Sequence, residues 1–189
     1  MRKLKLQVQM SIDGYMAGSE GEMEWLEWEW DEELKKYITD ITETVDCILL
    51  GRKLAEGFID YWASHAENTD SAEEGADKIN ETQKVVFTKT IFKTEWKRTK
   101  LESGDIVEEV TRLKNQEGKD MIVYGGGTFV RTLIEAGLFD ELHLLVNPTA
   151  LGKGMPVFGE FHTMKLISSR PFECGVVVLC YKHKVIQDN

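Results

Sequence analysis

Cysteine is scarce, and its spacing forms no framework. Cys47, Cys174 and Cys180 are odd in number and lie in apolar stretches, which argues against a disulfide scaffold and fits small core residues in a reducing compartment. His65, His143, His162 and His183 are scattered along the chain, so no metal site is expected. Only three prolines occur and no low-complexity stretch interrupts the sequence, leaving no long linker. Long apolar runs are missing as well. The longest, Val176 to Tyr181, is far short of the ~20 residues that cross a bilayer, and the N-terminus carries no apolar signal segment. A soluble, cytoplasmic protein without membrane contact is expected. Positive charge is also in deficit: 23 Lys and Arg face 33 Asp and Glu, a net charge of −10. A phosphate-binding surface needs concentrated cations, so a nucleic-acid partner is disfavoured.

What is present is an alternating chain of 189 residues, enough for one substantial core, and a single domain over 1–189 is expected. Leu4, Leu6, Val8 and Met10 alternate with Lys3, Lys5, Gln7 and Gln9, the period-two pattern of a strand with one buried face. Leu34, Tyr37, Ile38, Ile41 and Val45 recur at helical spacing after Asp31. Cys47 to Leu50 reads as a short strand, followed by a helix from about Arg52 and another from Asp70 to about Glu81. Val85 to Thr88 is the next strand, and Ile106 to Leu113 is an amphipathic helix ended by Gly118. Met121 to Tyr124, Thr128 to Ala136 and Leu142 to Val146 then read strand, helix, strand. Two antiparallel strands follow, near Thr163 to Ser168 and from Val176 to about Val185. Strands alternating with helices predict an α/β fold with a mixed, mostly parallel sheet covered on both faces and an antiparallel C-terminal end.

Glu20, Glu22, Glu24, Glu27, Glu29, Asp31, Glu32 and Glu33 interleave with Trp25, Trp28 and Trp30. Two readings stand. One is a solvated loop whose acids favour the positive start of the next helix while the indoles staple it down; the other is an aromatic wall over a ligand pocket.

The strongest local signal is Gly125-Gly126-Gly127-Thr128, directly after a buried strand and before a helix. Three glycines remove every Cβ, so a ligand can approach the backbone while the N–H groups of the helix start face an anion. A tight turn without a ligand is the competing reading, but three glycines cost backbone entropy and add no packing. A Rossmann fingerprint fails here, because Val130 occupies its third glycine position and Asp140 and Glu141 precede the next strand instead of closing it. Gly152-Lys153-Gly154 and Gly51-Arg52-Lys53 both lack the full spacing of a Walker loop.

Four motifs in order carry a family likeness: Ser11-Ile12-Asp13-Gly14-Tyr15-Met16-Ala17-Gly18, Gly51-Arg52-Lys53, Gly125-Gly126-Gly127, and Gly137-Leu138-Phe139-Asp140-Glu141-Leu142. Together with Pro148 to Gly154 and Pro156-Val157-Phe158, they resemble the dihydrofolate reductase superfamily. The nearer likeness is to the reductase domain of the bacterial bifunctional riboflavin-synthesis deaminase-reductase and its stand-alone relatives.

That resemblance implies a three-layer α/β/α domain with NADPH across the carboxyl ends of the strands, acting as a reductase of a small heterocycle. It places Gly125 and Gly126 at the cofactor pyrophosphate, with Gly127, Thr128 and Phe129 beside them and Gly51, Arg52 and Lys53 at a further phosphate. Relatives usually carry a hydroxyl residue after that last triplet, where this chain has Leu54. Thr88 and Lys89, with Thr90, are candidates for the adenosine 2′-phosphate, and Met16 and Ala17 for the nicotinamide. Lys89 reads equally as an exposed loop lysine. Asp13 is the candidate catalytic residue for proton delivery or substrate orientation, or else a turn residue bonded to nearby backbone. Phe58 is a candidate substrate contact or a core aromatic. The acid that dihydrofolate reductases carry on the first helix falls near Lys35, and Glu32 or Glu33 replaces it only with a shift of register. An acceptor other than dihydrofolate is therefore expected, with a riboflavin-pathway aminopyrimidine first and a pterin next. A homodimer is expected too, with Val176 to Tyr181 as the segment that pairs or packs across its axis.

Overall fold

The computed structural model describes residues 1–67 and 75–184. The elements in chain order are β1 (Leu4–Met10), β2 (Tyr15–Ala17), α1 (Glu32–Glu43), β3 (Val45–Gly51), α2 (Arg52–Glu67), α3 (Ala76–Glu81), β4 (Gln83–Phe87) and β5 (Thr99–Glu102). They continue with α4 (Ile106–Lys114), β6 (Asp120–Val123), α5 (Gly127–Glu135), β7 (Glu141–Val146), β8 (Met155–Pro156), β9 (Met164–Pro171) and β10 (Val177–His183).

Eight strands form one sheet in the order β5-β4-β3-β6-β1-β7-β10-β9. From β5 to β7 every pairing is parallel, and β10 runs antiparallel to both β7 and β9. Parallel strands need crossovers, and the helices that supply them cover both faces. On one face Leu4, Leu6, Val8, Leu49, Met121 and Val123 pack with Val110 and Leu113 of α4 and with Phe129, Val130 and Leu133 of α5. On the other, α2 and α3 cover β3, β4 and β6, while α1 covers β7 and β10. This is the expected three-layer α/β/α architecture. No helix is long and apolar enough to cross a membrane among the described residues.

Several boundaries differ from expectation for identifiable reasons. Val45 fits the apolar period of α1 but opens β3, because the backbone leaves the helix at Thr44. β5 has no apolar alternation to announce it: Thr99, Lys100, Leu101 and Glu102 are partly or fully exposed on an edge strand, where charged residues blunt unwanted pairing. The helix expected from Asp70 begins outside the described residues, and its described part is α3. The apolar run Val176 to Tyr181 is flanked on both edges within the chain, by β7 and β9. Pairing of that run across a dimer axis is therefore excluded.

The largest correction concerns β1. Its alternation reads as a strand with a solvent face, yet it is a central strand with helices on both sides. Lys5 and Gln7 are buried in consequence.

Candidate functional site

The carboxyl ends of four adjacent strands, β4, β3, β6 and β1, gather most of the residues singled out in the sequence. Thr88 and Lys89 follow β4, Gly51 closes β3 with Arg52 and Lys53 opening α2, Gly125 to Phe129 follow β6, and Asp13, Met16 and Ala17 follow β1. At about 4.8 Å between neighbouring strands, the row extends roughly 14 Å, a length suited to an extended dinucleotide.

The centre of the row is the turn from β6 into α5. Gly125 and Gly126 have φ values of +123° and +99°, a region that residues with a Cβ adopt only under strain. α5 starts at Gly127 with no side-chain cap and no acid in its first turn, and the first N–H bonded within the helix is that of Val130, to the Gly126 carbonyl at 2.9 Å. The N–H groups ahead of it are free of side-chain caps. The start of α2, one strand away, also lacks an acid. By contrast α1 and α4 begin with Asp31 and Asp105 as caps, each followed by two glutamates. In a chain of net charge −10, the two helix starts bordering this row are the ones kept clear of carboxylates, the electrostatic requirement for a phosphate group.

The two starts are also in contact. A Cβ on Gly51 would meet Phe129 at 3.0 Å, and one on Gly126 would meet Leu54 at 3.8 Å. Leu54, where the resemblance implies a hydroxyl residue, thus packs against the glycine turn. Phe129 is a core residue, 5.1 Å from the Phe87 ring, so only its backbone is available to a ligand. Arg52 is turned along its own helix to Glu56 at 2.8 Å. Lys53 and Lys89 are exposed. The Thr88 hydroxyl accepts from the N–H groups of Thr90 and Ile91 at 3.2 and 3.0 Å, shaping the turn that presents Lys89.

Asp13 is tied into the turn that carries it. Its carboxylate accepts from the Ser11 hydroxyl at 2.6 Å and from the N–H groups of Leu151 and Gly152 at 3.0 and 2.6 Å. These bonds, the Ser11 hydroxyl first, hold its pKa down to about 2. The carboxylate is ionised throughout the neutral range, and these contacts are those of a turn residue. Its bonds clasp the loop after β1 to the 149–152 segment. Beside that clasp, β2 pairs with β8, and a Cβ on Gly154 would overlap the Ala17 carbonyl. The Leu151 to Gly154 motif is thereby explained: it buttresses Met16 and Ala17, which are both buried.

Phe58 stacks on Tyr124 at 5.3 Å and lies 6.1 Å from Trp62, so it is a packed aromatic of the cluster under α2. Of the tryptophan segment, Trp30 packs against the core cluster under α1, as a staple does. Trp25 and Trp30 donate to the Glu22 and Glu27 carbonyls at 3.0 and 2.8 Å, while Trp28 stays exposed. Glu32 pairs with Lys35 and Glu33 with Arg170, both on the exposed side of α1. Leu34, Tyr37 and Ile38 are the residues of α1 that pack inward, so no carboxylate of this helix faces the sheet.

Three residues of the region were not singled out in the sequence. Asn147 is fully buried; its amide donates to Gln9 Oε1 at 3.1 Å and to the Leu145 carbonyl at 3.2 Å, and accepts from the Glu27 N–H at 2.9 Å. Gln7 and Gln9 lie on the helix-covered face of β1. Their signal was polarity at buried positions of a central parallel strand, where continuous apolar sequence is the norm.

Comparison with known proteins identifies the family and the fold. Residues 2–178 match the RibD C-terminal domain family. The uncharacterized protein YyaP of Bacillus subtilis is 31% identical over 186 residues, covering 95% of this chain and 94% of that protein. In fold, the chain is similar to a diaminohydroxyphosphoribosylaminopyrimidine deaminase/5-amino-6-(5-phosphoribosylamino)uracil reductase from Thermotoga maritima, with a TM-score of 0.68, 12% identity, and coverage of 97% of this chain and 57% of that one. It is also similar to Enterococcus faecalis dihydrofolate reductase complexed with NADP(H), with a TM-score of 0.61, 18% identity and 96% coverage of both chains. With one family match over almost its whole length and a relative above 30% identity, the chain belongs to the RibD C-terminal domain family.

Proposed function

We propose that this protein is an NADPH-dependent reductase that transfers a hydride to a small heterocyclic substrate of the riboflavin-pathway aminopyrimidine class. The observation that carries the reading is the pair of acid-free helix starts meeting at the Gly125 to Gly127 turn. Gly125 to Phe129 and Gly51 to Lys53 hold the pyrophosphate, chiefly through backbone N–H groups. Thr88 and Lys89 hold the 2′-phosphate, and Met16 and Ala17, locked by β8, form the wall against the nicotinamide. The bound cofactor supplies the hydride. The chain's own contribution is to fix the acceptor against that hydride and exclude water, with Phe58 and Tyr124 as the aromatic side of the space.

The Thermotoga relative of similar fold is a reductase of a phosphoribosylamino-uracil, which supports the aminopyrimidine class. The absence of an inward carboxylate on α1 favours it over a pterin that must be bound protonated. NADPH oxidation followed at 340 nm should show turnover with the phosphoribosylamino-uracil and at least about tenfold lower kcat/KM with dihydrofolate. Efficient turnover of dihydrofolate would reverse the substrate assignment.

A further inference from the structure

The sheet face beneath α1 and α2 is divided. Val45, Ile48, Leu50, Val86 and Ile122 form one apolar cluster under α2, and Leu145, Val176 and Val178 form another with Leu34 of α1. β1 lies between the strands of the two, flanked by β6 and β7. On this face it presents Lys5, Gln7 and Gln9, a polar stripe along the seam between two helices.

Each member of the stripe has a different status. Lys5 is closed off at the lower end, where its Nζ donates to the Ile41 carbonyl at 3.0 Å and to the Thr44 hydroxyl at 2.9 Å and pairs with Asp120 at 3.0 Å. Gln9, at the end nearest the glycine turn, has its Oε1 bonded by Asn147 at 3.1 Å. Its amino group has no acceptor among the described residues. Gln7 is 9% exposed, and its Oε1 is buried without any hydrogen-bond partner. No hydrogen bond of the Gln7 amide is found among the described residues.

The neighbours leave Gln7 unpaired. His143, its partner across β7, is engaged on both ring nitrogens, by the Tyr37 hydroxyl at 2.6 Å and by Glu141 at 3.3 Å. On the β6 side Val123 pairs with Leu6, so Tyr124 follows alongside Gln7; burial alone pushes its hydroxyl pKa up. Native folds keep few buried polar groups unpaired, because each carries its full desolvation penalty.

We propose that the Gln7 side-chain amide is the specificity-determining contact for the polar edge of a neutral lactam heterocycle seated in this seam, with the Gln9 amino group and the Tyr124 hydroxyl beside it. This assignment rests on the reductase reading and narrows its substrate class. An amide offers a donor and an acceptor, the complement of a lactam's adjacent C=O and N–H. It carries no charge, so it does not favour a protonated ring as a carboxylate does. The acids nearest the seam are otherwise committed: Asp120 to Lys5 and Thr44, Glu141 to His143 and Lys3. Gln9 and Tyr124, both half-buried, lie at the end of the stripe toward Gly125 and Asp13, so a ring held there abuts the cofactor row.

The test uses the full chain with saturating NADP+ at pH 6.5. Calorimetry would follow lumazine as the neutral lactam probe and 2,4-diaminopteridine as its protonatable counterpart, on the unsubstituted chain and on Gln7→Leu and Gln7→Glu. The unsubstituted chain is expected to prefer lumazine. Gln7→Leu should bind it at least about tenfold more weakly with unchanged NADP+ affinity, and Gln7→Glu should reverse the preference. The unliganded Gln7→Leu protein should melt about 2–6 °C higher, because an apolar group replaces an unpaired acceptor. Full lumazine affinity in Gln7→Leu, or no lumazine binding to an unsubstituted chain that binds NADP+, would overturn the assignment alone. A lowered melting point of Gln7→Leu would also overturn it, by making the amide part of the structural core. Failure of the unsubstituted chain to bind NADP+ would overturn the assignment together with the reductase reading.

Discussion

Gly126→Val should lose at least about a hundredfold in NADPH affinity while remaining folded, equivalent to losing one or two hydrogen bonds to a charged group. A Cβ at this position meets Leu54 at 3.8 Å and Phe129 at 4.0 Å, ordinary contacts that leave room for a side chain. The obstacle is the backbone. Gly126 sits at φ +99° and ψ +86°, which valine resists at a cost of about 1–3 kcal/mol. A domain with some 5–15 kcal/mol of stability survives that. It does so strained, or by rotating the 126–127 peptide and turning the first N–H groups of α5 away from the pyrophosphate. Calorimetry with NADPH, beside a circular dichroism melt, separates the two effects. Retained affinity would mean that the glycines serve the turn alone.

Asn147→Leu is expected to cost about 3 kcal/mol or more in stability. The side chain is fully buried, and its amide joins three segments: the end of β1 through Gln9, β7 through the Leu145 carbonyl, and the tryptophan loop through the Glu27 N–H. Leucine matches its shape and leaves those partners unsatisfied, each at about 1–3 kcal/mol. Release of the Glu27 N–H should also loosen the loop from Glu22 to Trp30, shifting tryptophan emission to the red before global unfolding. Denaturant titration measures the first effect and emission spectra the second. A loss below about 1 kcal/mol would mean that water takes over these bonds.

The parallel core was legible because its strands are short apolar runs separated by amphipathic helices of clear period. Leu142 to Val146, Met121 to Tyr124 and the helix from Thr128 fall within a residue or two of β7, β6 and α5. β5 was invisible, since an edge strand reading Thr-Lys-Leu-Glu has no buried face to impose a pattern. The glycine turn was legible for the opposite reason, as three consecutive residues without a Cβ are hard to explain by packing. Asp13 was ambiguous: an Asp before Gly is both a turn signal and a proton-carrying group, and only the positions of the Leu151 and Gly152 N–H groups distinguish the two. These lie 138 and 139 residues away in sequence.

Gln7 and Gln9 illustrate a different failure. Their alternation with Leu6, Val8 and Met10 is the pattern of a half-exposed strand, and local sequence holds no sign that β6 and β7 will flank β1. Once the topology is known, the same two residues become anomalies, because central parallel strands are buried on both faces. Leu54 is similar. In the sequence it is a missing hydroxyl; in the fold it is the side chain that supports Gly126 from below.

The central claim, a nicotinamide dinucleotide laid across β4, β3, β6 and β1 with its 2′-phosphate at Thr88 and Lys89, is tested most directly by titrating the purified chain with NADPH and NADH while following tryptophan fluorescence. The predicted result is saturable binding of NADPH at least about tenfold tighter than NADH, one charge-assisted phosphate contact being enough for that ratio, with the preference greatly reduced in Lys89→Ala. No binding of either nucleotide up to millimolar concentration would contradict the site itself, and equal affinity for the two would remove the 2′-phosphate from it.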